Sequence, residues 1–339
     1  MTSHPTVTVF GAYGHTGRFV VAELIRRGWT PILSGRDAGK LTDLAASYTG
    51  LEIRPASIDD PESLDRALVG ATAVINAAGP FAATAAPVTD AALRARIPYL
   101  DVAAEVEVAL STVDRYPALA TAAGIAVVPA AAFYGGLVDL LATAAMGDWA
   151  AADEVSIAYA LDSWLPTAGT VATGHVSDAR RDSKRLVFRQ GRLELRSDDA
   201  PVTEWTFPEP FGPQRVQADF TTADSVTLPH HLKVSEISSH MTVAPLEDLG
   251  GPRTTPPTGI RSDQQFLVEV IVRSGDERRR AVARGQDIYA ITAPIVVEAT
   301  RRLLESPTPP AGVLTVGQLS DAADFLRSLG SEHFTVEFS

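Results

Sequence analysis

The chain contains no cysteine. This excludes disulfide bonds, thiolate nucleophiles and thiolate metal ligands. Lysine is almost as scarce: only Lys40, Lys184 and Lys233 occur, so arginine supplies nearly all of the positive charge. No apolar run approaches the length of about 20 residues that a membrane-spanning helix needs, and the first residues lack the pattern of a signal peptide. The sequence therefore predicts a cytoplasmic protein without a membrane span.

Several function classes lack their usual signatures. The formal net charge is −12, whereas binding to a nucleic-acid backbone needs clustered positive charge. No Tyr is followed four residues later by Lys, so the acid pair of the short-chain dehydrogenases is missing. Neither His-Glu-x-x-His nor Gly-x-Ser-x-Gly occurs, so zinc-protease and serine-hydrolase chemistry has no support. We predict a small-molecule substrate, no nucleic-acid partner and no metal site, and leave a homodimer open.

Three glycines at three-residue spacing follow the first apolar stretch. Val7–Phe10 predicts a buried strand, and Phe19–Gly28 has helical periodicity. A strand that enters a helix through such a turn aims backbone N–H groups and the positive end of the helix dipole at one point, which suits a pyrophosphate. In this motif Gly11 allows the turn, Gly14 admits the phosphates and Gly17 permits close packing. The predicted cofactor contacts of this turn are Gly11, Tyr13, Gly14, His15, Thr16 and Gly17.

The end of the second predicted strand, Thr30–Ser34, bears on the choice between NAD and NADP. An acidic residue there binds the ribose 2′-hydroxyl of NAD, whereas an arginine accommodates the 2′-phosphate of NADP. Arg36 stands near this position, and its guanidinium suits a phosphate; Ser34 would add a hydroxyl donor. Asp37 would suit a ribose instead, but we expect it to cap the helix Ala38–Ser47. We therefore predict NADP (as NADPH).

Strands continue to alternate with helices as far as residue 149, including a helix expected over Val108–Ala123. This order is typical of a Rossmann fold, a doubly wound parallel sheet. Ligands bind such sheets at the carboxyl ends of the strands. The further predicted cofactor contacts are Ser57, Asn76, Ala77, Ala78, Gly79, Pro80 and Phe81.

Four segments in this order and spacing resemble the saccharopine dehydrogenase-like NAD(P)-binding oxidoreductases, including their trans-acting enoyl reductase branch. They are Gly11–Gly17, Ser34–Arg36, Ile75–Phe81 and Tyr99–Glu105. The resemblance implies an NAD(P)-binding fold, hydride transfer and a C-terminal tail that packs back on the first domain. The chain departs from the family at Ala132–Gly136, where a Gly-Phe-Asp-Ser-like turn is usual.

The pattern changes near Asp153 to short strands with few helices, among them a hairpin about Gln190-Gly191 and a strand at Ser225–Leu228. Pro256–Gly259 predicts a flexible loop. We expect a second α+β domain with a mostly antiparallel or mixed sheet. The predicted domains are the Rossmann domain at 1–149, a substrate domain at 150–284, and C-terminal helices at 285–339.

The candidate catalytic residues are Tyr134, His175 and Asp101; Glu105 and the pair His230-His231 are further candidate proton donors. The side chains available favour an NADP-dependent reductase that transfers hydride to a C=C, C=N or C=O bond of a small, largely apolar metabolite, in specialised metabolism. Two alternatives remain open. One is a non-catalytic NADP-binding sensor or scaffold, and the other is a redox-neutral enzyme with tightly held NADP.

Overall fold

A computed structural model describes residues 4–180, 184–250 and 258–339. It contains two β-sheets, one parallel and one mixed, with helices packed on them. The predicted fold class, a Rossmann sheet plus a second domain with a mixed sheet, is confirmed. Within the described ranges, no helix combines the length and apolar character needed to cross a membrane.

The first sheet has seven strands, all of them parallel. The strands are β1 (Thr6–Phe10), β2 (Thr30–Gly35), β3 (Ile53–Pro55), β4 (Ala73–Asn76), β5 (Tyr99–Asp101), β6 (Ala126–Val128) and β15 (Gly312–Val313). Their order across the sheet is β15-β6-β5-β4-β1-β2-β3. This order reverses between β1 and β4, and such a reversal opens a crevice at the carboxyl edge of a sheet. The central strands are buried, as the apolar run Val7–Phe10 predicts.

Seven helices connect the strands of the first half. One expectation was wrong: the stretch Val108–Ala123 is split into two helices at Tyr116, because Pro117 has no N–H to continue the first of them. The helices are α1 (His15–Arg26), α2 (Ala38–Ala45), α3 (Pro61–Leu68), α4 (Phe81–Ala95), α5 (Val106–Arg115), α6 (Pro117–Ala123) and α7 (Gly136–Met146).

The second sheet is mixed. Its strands are β7 (Ala152–Leu161), β8 (Arg185–Arg189), β9 (Arg192–Arg196), β10 (Val202–Thr206), β11 (Pro213–Ala218), β12 (Val234–Thr242), β13 (Gln265–Ser274), β14 (Glu277–Gln286) and β16 (Phe334–Phe338). The main path of the sheet runs β10-β11-β12-β7-β13-β14-β16, where β12 and β7 are parallel and the other neighbours are antiparallel. The hairpin predicted at Gln190-Gly191 joins β8 to β9.

A strand predicted at Ser225–Leu228 is instead helical. Ser225-Val226-Thr227-Leu228 alternates polar and apolar residues, the period of two that indicates a strand, whereas in the fold the segment is buried on all sides. Of the predicted loop Pro256–Gly259, Pro256 and Pro257 lie outside the described residues, and the other two form a turn. The helices of the second half are α8 (Ala168–Arg180), α9 (Asp224–His231), α10 (Val243–Gly250), α11 (Ile288–Glu305) and α12 (Ala322–Ser328).

The C-terminal segment contributes to both sheets. β15 joins the first sheet beside β6, and β16 joins the second beside β14. Helix α11 packs on α1, and side chains of both halves, such as Val9, Leu24, Phe266 and Val297, belong to one hydrophobic cluster. The tail therefore ties the two sheets together, while the domain limits near residues 149 and 284 stay a prediction.

Candidate functional site

A cavity of about 820 Å³ lies at the carboxyl edge of the first sheet. Its floor is formed by the residues that follow β1 to β6. Helix α8, the segment that precedes it and the first turn of α11 supply the opposite wall. From β2 to β6 the edge spans four strand spacings, or about 19 Å. The cavity is thus long enough to extend along most of the sheet.

The glycine turn after β1 lies against this cavity. Gly11 has a φ of +87°, and a Cβ there would lie 2.7 Å from the Ala78 nitrogen. A Cβ on Gly17 would lie 2.1 Å from the Gly11 carbonyl oxygen, so this glycine lets α1 pack on the turn. Gly14 is the N-cap of α1 and supplies no capping side chain. The first N–H groups of α1 are therefore available to a phosphate, and the residues present fit a dinucleotide.

Ser34, near the end of β2, and the residues Arg36 and Asp37 that follow β2 have three different roles. Arg36 is exposed and lines the cavity together with Lys40. Asp37 caps α2, as predicted, by accepting a hydrogen bond from the Lys40 N–H at 3.1 Å. The prediction for the Ser34 hydroxyl was wrong. It is fully buried without a hydrogen-bond partner in the described structure, because this position of β2 faces the interior.

The loop after β4 is shaped by Asn76. Its Oδ1 accepts from the Ala78 N–H at 3.0 Å, and its Nδ2 donates to Thr84 Oγ1 and to the Tyr99 hydroxyl, each at 3.2 Å. Asn76 is fully buried and does not line the cavity. It holds the small residues Ala77, Ala78 and Gly79 against the cavity rather than contacting a ligand itself.

Asp101, predicted as a catalytic candidate, lies outside the cavity wall and is fully buried. Its carboxylate accepts hydrogen bonds from the N–H groups of Ala103 at 3.0 Å and Ala130 at 2.8 Å, and from the Tyr99 hydroxyl at 3.0 Å. Burial raises its pKa, although these bonds oppose the shift. Asp101 thus joins β5 to the end of β6, and its place away from the cavity gives no support to the catalytic role predicted for it.

Glu105 is the acidic side chain of this region that does line the cavity. Its oxygens accept from the N–H groups of Phe81 at 3.0 Å and Ala104 at 3.2 Å, and Thr173 of α8 also bonds to it. Burial raises its pKa above the ordinary range. Glu105 therefore connects the floor of the cavity to α8.

The predicted histidines have different environments. The Nδ1 atom of His15 accepts from the Gly259 N–H at 3.1 Å, and its ring meets Tyr289 edge-on with centroids 5.2 Å apart. Burial lowers its pKa. His175 is exposed on α8 and lines the cavity. His230 and His231 do not line it: the former contacts the Val313 carbonyl at 3.1 Å and the latter Asp139 at 2.6 Å.

Beyond the loops after β4 and β5, aromatic side chains form the walls. We call this region the aromatic end. The Tyr134 ring lies 6.0 Å from the rings of both Trp164 and Phe220, and 5.0 Å from that of Phe133. The Trp164 Nε1 donates to the Tyr289 hydroxyl at 3.1 Å. The aromatic end is defined by Phe133, Tyr134, Trp164, Phe220 and Tyr289, all of which line the cavity.

The hydroxyl of Tyr134 is buried and has no hydrogen-bond partner in the described part of the chain. Burial, with smaller contributions from Tyr289 and Asp224, raises its pKa well above the usual range, so the group stays protonated at neutral pH. Behind it, the buried Asp224 accepts from the hydroxyls of Tyr159 and Thr222. Tyr134 therefore combines a position at the cavity with a free donor.

Most of the predicted cofactor contacts line one cavity, and four of them, Gly17, Ser34, Asn76 and Pro80, do not. No group of three or more metal-ligating side chains occurs among the described residues. The predicted contacts that line the cavity are Gly11, Tyr13, Gly14, His15, Thr16, Arg36, Ser57, Ala77, Ala78, Gly79 and Phe81, together with the catalytic candidates Tyr134 and His175.

Sequence reasoning missed Trp164, Phe220, Tyr289 and the buried Asp224. The last follows Thr222 in a stretch with no local signal, and its partner Tyr159 is 65 residues away. Tyr289 had one usable signal. Asp287 precedes an apolar helical pattern and caps α11 by accepting from the Tyr289 N–H at 2.9 Å, which marks the start of a helix.

Comparison with known proteins bears on the first part of the chain. Residues 11–110 match the family model described as NAD(P)H-binding, so this segment is similar to NAD(P)H-binding domains. No curated protein matches the chain.

Among solved structures, saccharopine dehydrogenase (L-Glu forming) from Saccharomyces cerevisiae superposes with a TM-score of 0.68 at 11% identity, over 99% of this chain and 100% of that chain. The whole chain therefore has the fold of saccharopine dehydrogenase. The NADP(H) complex of triphenylmethane reductase from Citrobacter sp. matches at 27% identity over 30% of this chain and 38% of that chain, with a TM-score of 0.27.

Proposed function

We propose that the protein is an NADPH-dependent reductase that transfers hydride to a C=C, C=N or C=O bond of a small, largely apolar metabolite. The observation that carries this proposal is a single cavity that begins at the glycine turn and ends at aromatic walls. The family match supports a nicotinamide cofactor, and the fold supports oxidoreductase chemistry. The enoyl reductase branch, a cytoplasmic location and a homodimer stay predictions from the sequence.

Each part of the cavity has a role in this proposal. When bound, NADPH supplies the hydride. The N-terminus of α1 binds the pyrophosphate, and Arg36 with Lys40 binds the 2′-phosphate. The aromatic end holds the substrate: its residues Phe133 and Tyr134 follow β6, four strand spacings from β2, while its Tyr289 borders His15 of the glycine turn. The buried hydroxyl of Tyr134 is the proposed proton donor, and α8 shields the site from water.

Purified protein should bind NADPH in a fluorescence titration and oxidise it, at 340 nm, with members of a panel of aromatic and aliphatic ketones, enones and imines. Turnover of NADPH in proportion to product excludes the sensor and the redox-neutral alternatives. If NADPH fails to bind, the premise of the reductase is lost. Binding without oxidation by any member of the panel would favour the non-catalytic alternative.

Replacing Arg36 by alanine should weaken NADPH binding by about tenfold, because a charge-assisted hydrogen bond contributes roughly 1.5–3 kcal/mol and the exposed position lies at the low end of this range. The affinity for NADH, which lacks the 2′-phosphate, should not change. Ser34→Ala is the matched control, since its buried hydroxyl has no partner and should leave both dissociation constants unaltered. Equal losses for NADPH and NADH in Arg36→Ala would contradict the assignment.

Tyr134→Phe should lower kcat by about 100-fold, the range expected for loss of a proton donor. The same change should raise the free energy of unfolding by about 1 kcal/mol, because an unsatisfied buried hydroxyl is removed without loss of ring packing. Steady-state kinetics and urea denaturation measure the two effects. A variant that gains stability and keeps full kcat would show that Tyr134 is only part of the wall.

A further inference from the structure

The positive charge of the cavity is confined to one end. Within the described residues, the only Lys and Arg side chains that line it are Arg36 and Lys40. Both follow β2, which is four strand spacings from β6, or about 19 Å. The proposed function uses these two cations for the cofactor. An anionic group on the substrate would therefore have to find its partner elsewhere.

The aromatic end offers no Lys or Arg side chain in the described structure. Its polar side chains are neutral and largely bonded to one another: the Tyr289 hydroxyl contacts Thr170 Oγ1 at 2.8 Å and accepts from Trp164. Thr222 donates to Asp224. The nearby carboxyl of Glu105 is already held by backbone N–H groups and would repel an anion when ionised. A carboxylate moved here from water would meet only neutral donors, such as the N–H groups in the first turn of α8, and no cationic side chain to replace its hydration.

The walls themselves are flat and apolar. The rings of Tyr134 and Trp164 are inclined by only 32°, with their centroids 6.0 Å apart, and the centroid of the Phe220 ring lies at the same distance from that of Tyr134. Aromatic faces and edges in such arrangements favour a further ring in stacked or edge-on contact. The Tyr134 side chain adds a buried hydroxyl that has no hydrogen-bond partner among the described residues.

From these two observations we propose that the aromatic end selects a planar aromatic or conjugated substrate without a carboxylate or phosphate group. This inference rests on the proposed function, because it assumes that the cofactor occupies the end with Arg36. It narrows the substrate class from a small apolar metabolite to an uncharged ring compound. A hydrogen-bond acceptor on this substrate would accept a hydrogen bond from the Tyr134 hydroxyl.

A matched pair of probes tests the charge rule: 2-acetylnaphthalene and 6-acetyl-2-naphthoate, which differ by one carboxylate. Isothermal titration into the NADP⁺-loaded full-length protein should give a dissociation constant about tenfold or more lower for the neutral ketone. Equal or tighter binding of the naphthoate would overturn the proposal. So would failure of the neutral ketone to bind up to its solubility limit.

Two variants locate the binding of the neutral probe. Phe220→Leu removes one aromatic wall and should weaken binding of 2-acetylnaphthalene by about tenfold. Phe211→Leu replaces a similar, partly buried ring that packs with Phe207 outside the cavity, and should leave the dissociation constant unchanged. Equal effects of the two variants would contradict the assignment of the aromatic end.

A separate NADPH titration distinguishes failure of this inference from failure of the proposed function. If NADPH binds with the expected dependence on Arg36 but the naphthoate is preferred, the reductase stands and the substrate class is wrong. If NADPH does not bind, the proposed function fails, and preference for the neutral ketone by the unloaded protein then reports on the aromatic end alone.

Discussion

Gly17→Ala should weaken binding of the dinucleotide by about 100-fold and destabilise the fold. The added Cβ would lie 2.1 Å from the Gly11 carbonyl oxygen and 3.0 Å from the Ala12 Cα and carbonyl oxygen. All three atoms belong to the backbone, so α1 must move away from the turn. Loss of two hydrogen bonds from the first turn of α1 to a phosphate would raise the dissociation constant of NADPH by about 100-fold, and overpacking should cost about 2 kcal/mol.

The control for the effect on stability is Gly174→Ala. Gly174 is also helical, and no atom lies within 4 Å of an added Cβ, so the change should stabilise α8 by up to about 1 kcal/mol. Urea denaturation measures the stability of both variants, and fluorescence titration with NADPH measures the affinity of Gly17→Ala against that of the unchanged protein. If Gly17→Ala kept the affinity and the stability of the unchanged protein, the close packing of α1 on the glycine turn would not be what forms the phosphate site.

The parts of the site that sequence reasoning found are those encoded by neighbours in the chain. The turn Gly11–Gly17 joins a strand to a helix within a dozen residues, and the close approach of Gly17 to Gly11 is local. The role of Asp37 as an N-cap is likewise decided within three residues. The alternation of strands and helices then places every β–α turn at one edge of the sheet, which brings Arg36 and Tyr134 to the same cavity.

The parts that it missed depend on contacts far apart in the chain. Trp164 and Tyr289 meet through a hydrogen bond across 125 residues, and nothing near either residue in the sequence marks a site. The sequence pattern also did not predict whether a single side chain is buried or exposed. Ser34 stands two residues before Arg36, yet the hydroxyl of Ser34 is buried and Arg36 is exposed. Helix α9 was predicted as a strand because Ser225–Leu228 alternates polar and apolar residues, although in the fold both kinds of residue are buried.

A cluster of ion pairs joins α1 to α11, two helices whose first turns border the cavity. Glu298 is 3% exposed and accepts hydrogen bonds from Arg27 of α1 at 2.5 Å, from Arg301 at 2.6 Å and from Arg302 at 2.8 Å. Since α1 begins at the glycine turn and the first turn of α11 carries Tyr289, this cluster fixes the position of these two cavity walls relative to each other. The contact of Tyr289 with His15 is made at the other end of the same helix pair.

Glu298→Gln should lower the free energy of unfolding by about 2 kcal/mol, because Arg27, Arg301 and Arg302 lose their shared buried carboxylate and each keeps only one more exposed partner. Glu305→Gln is the matched control. Glu305 lies on the same helix and pairs with Arg301, but its side chain is 59% exposed, so its loss should cost less than about 1 kcal/mol. Equal stabilities for the two variants at neutral pH would contradict a structural role for the cluster.

The pH dependence gives a second test of the Glu298 cluster. Burial by itself disfavours ionisation of Glu298, but the hydrogen bonds from Arg301, Arg27 and Arg302 outweigh it and hold the pKa at about 2, below the ordinary 4.5. Because the folded pKa is the lower one, the stabilisation is complete above the ordinary value and is lost as the pH falls towards 2. The difference in unfolding free energy between the unchanged protein and Glu298→Gln should therefore be constant above about pH 6 and shrink steadily below pH 4.5. A difference that grew on acidification would mean that Glu298 is protonated in the folded protein, and that α1 and α11 are held together by packing alone.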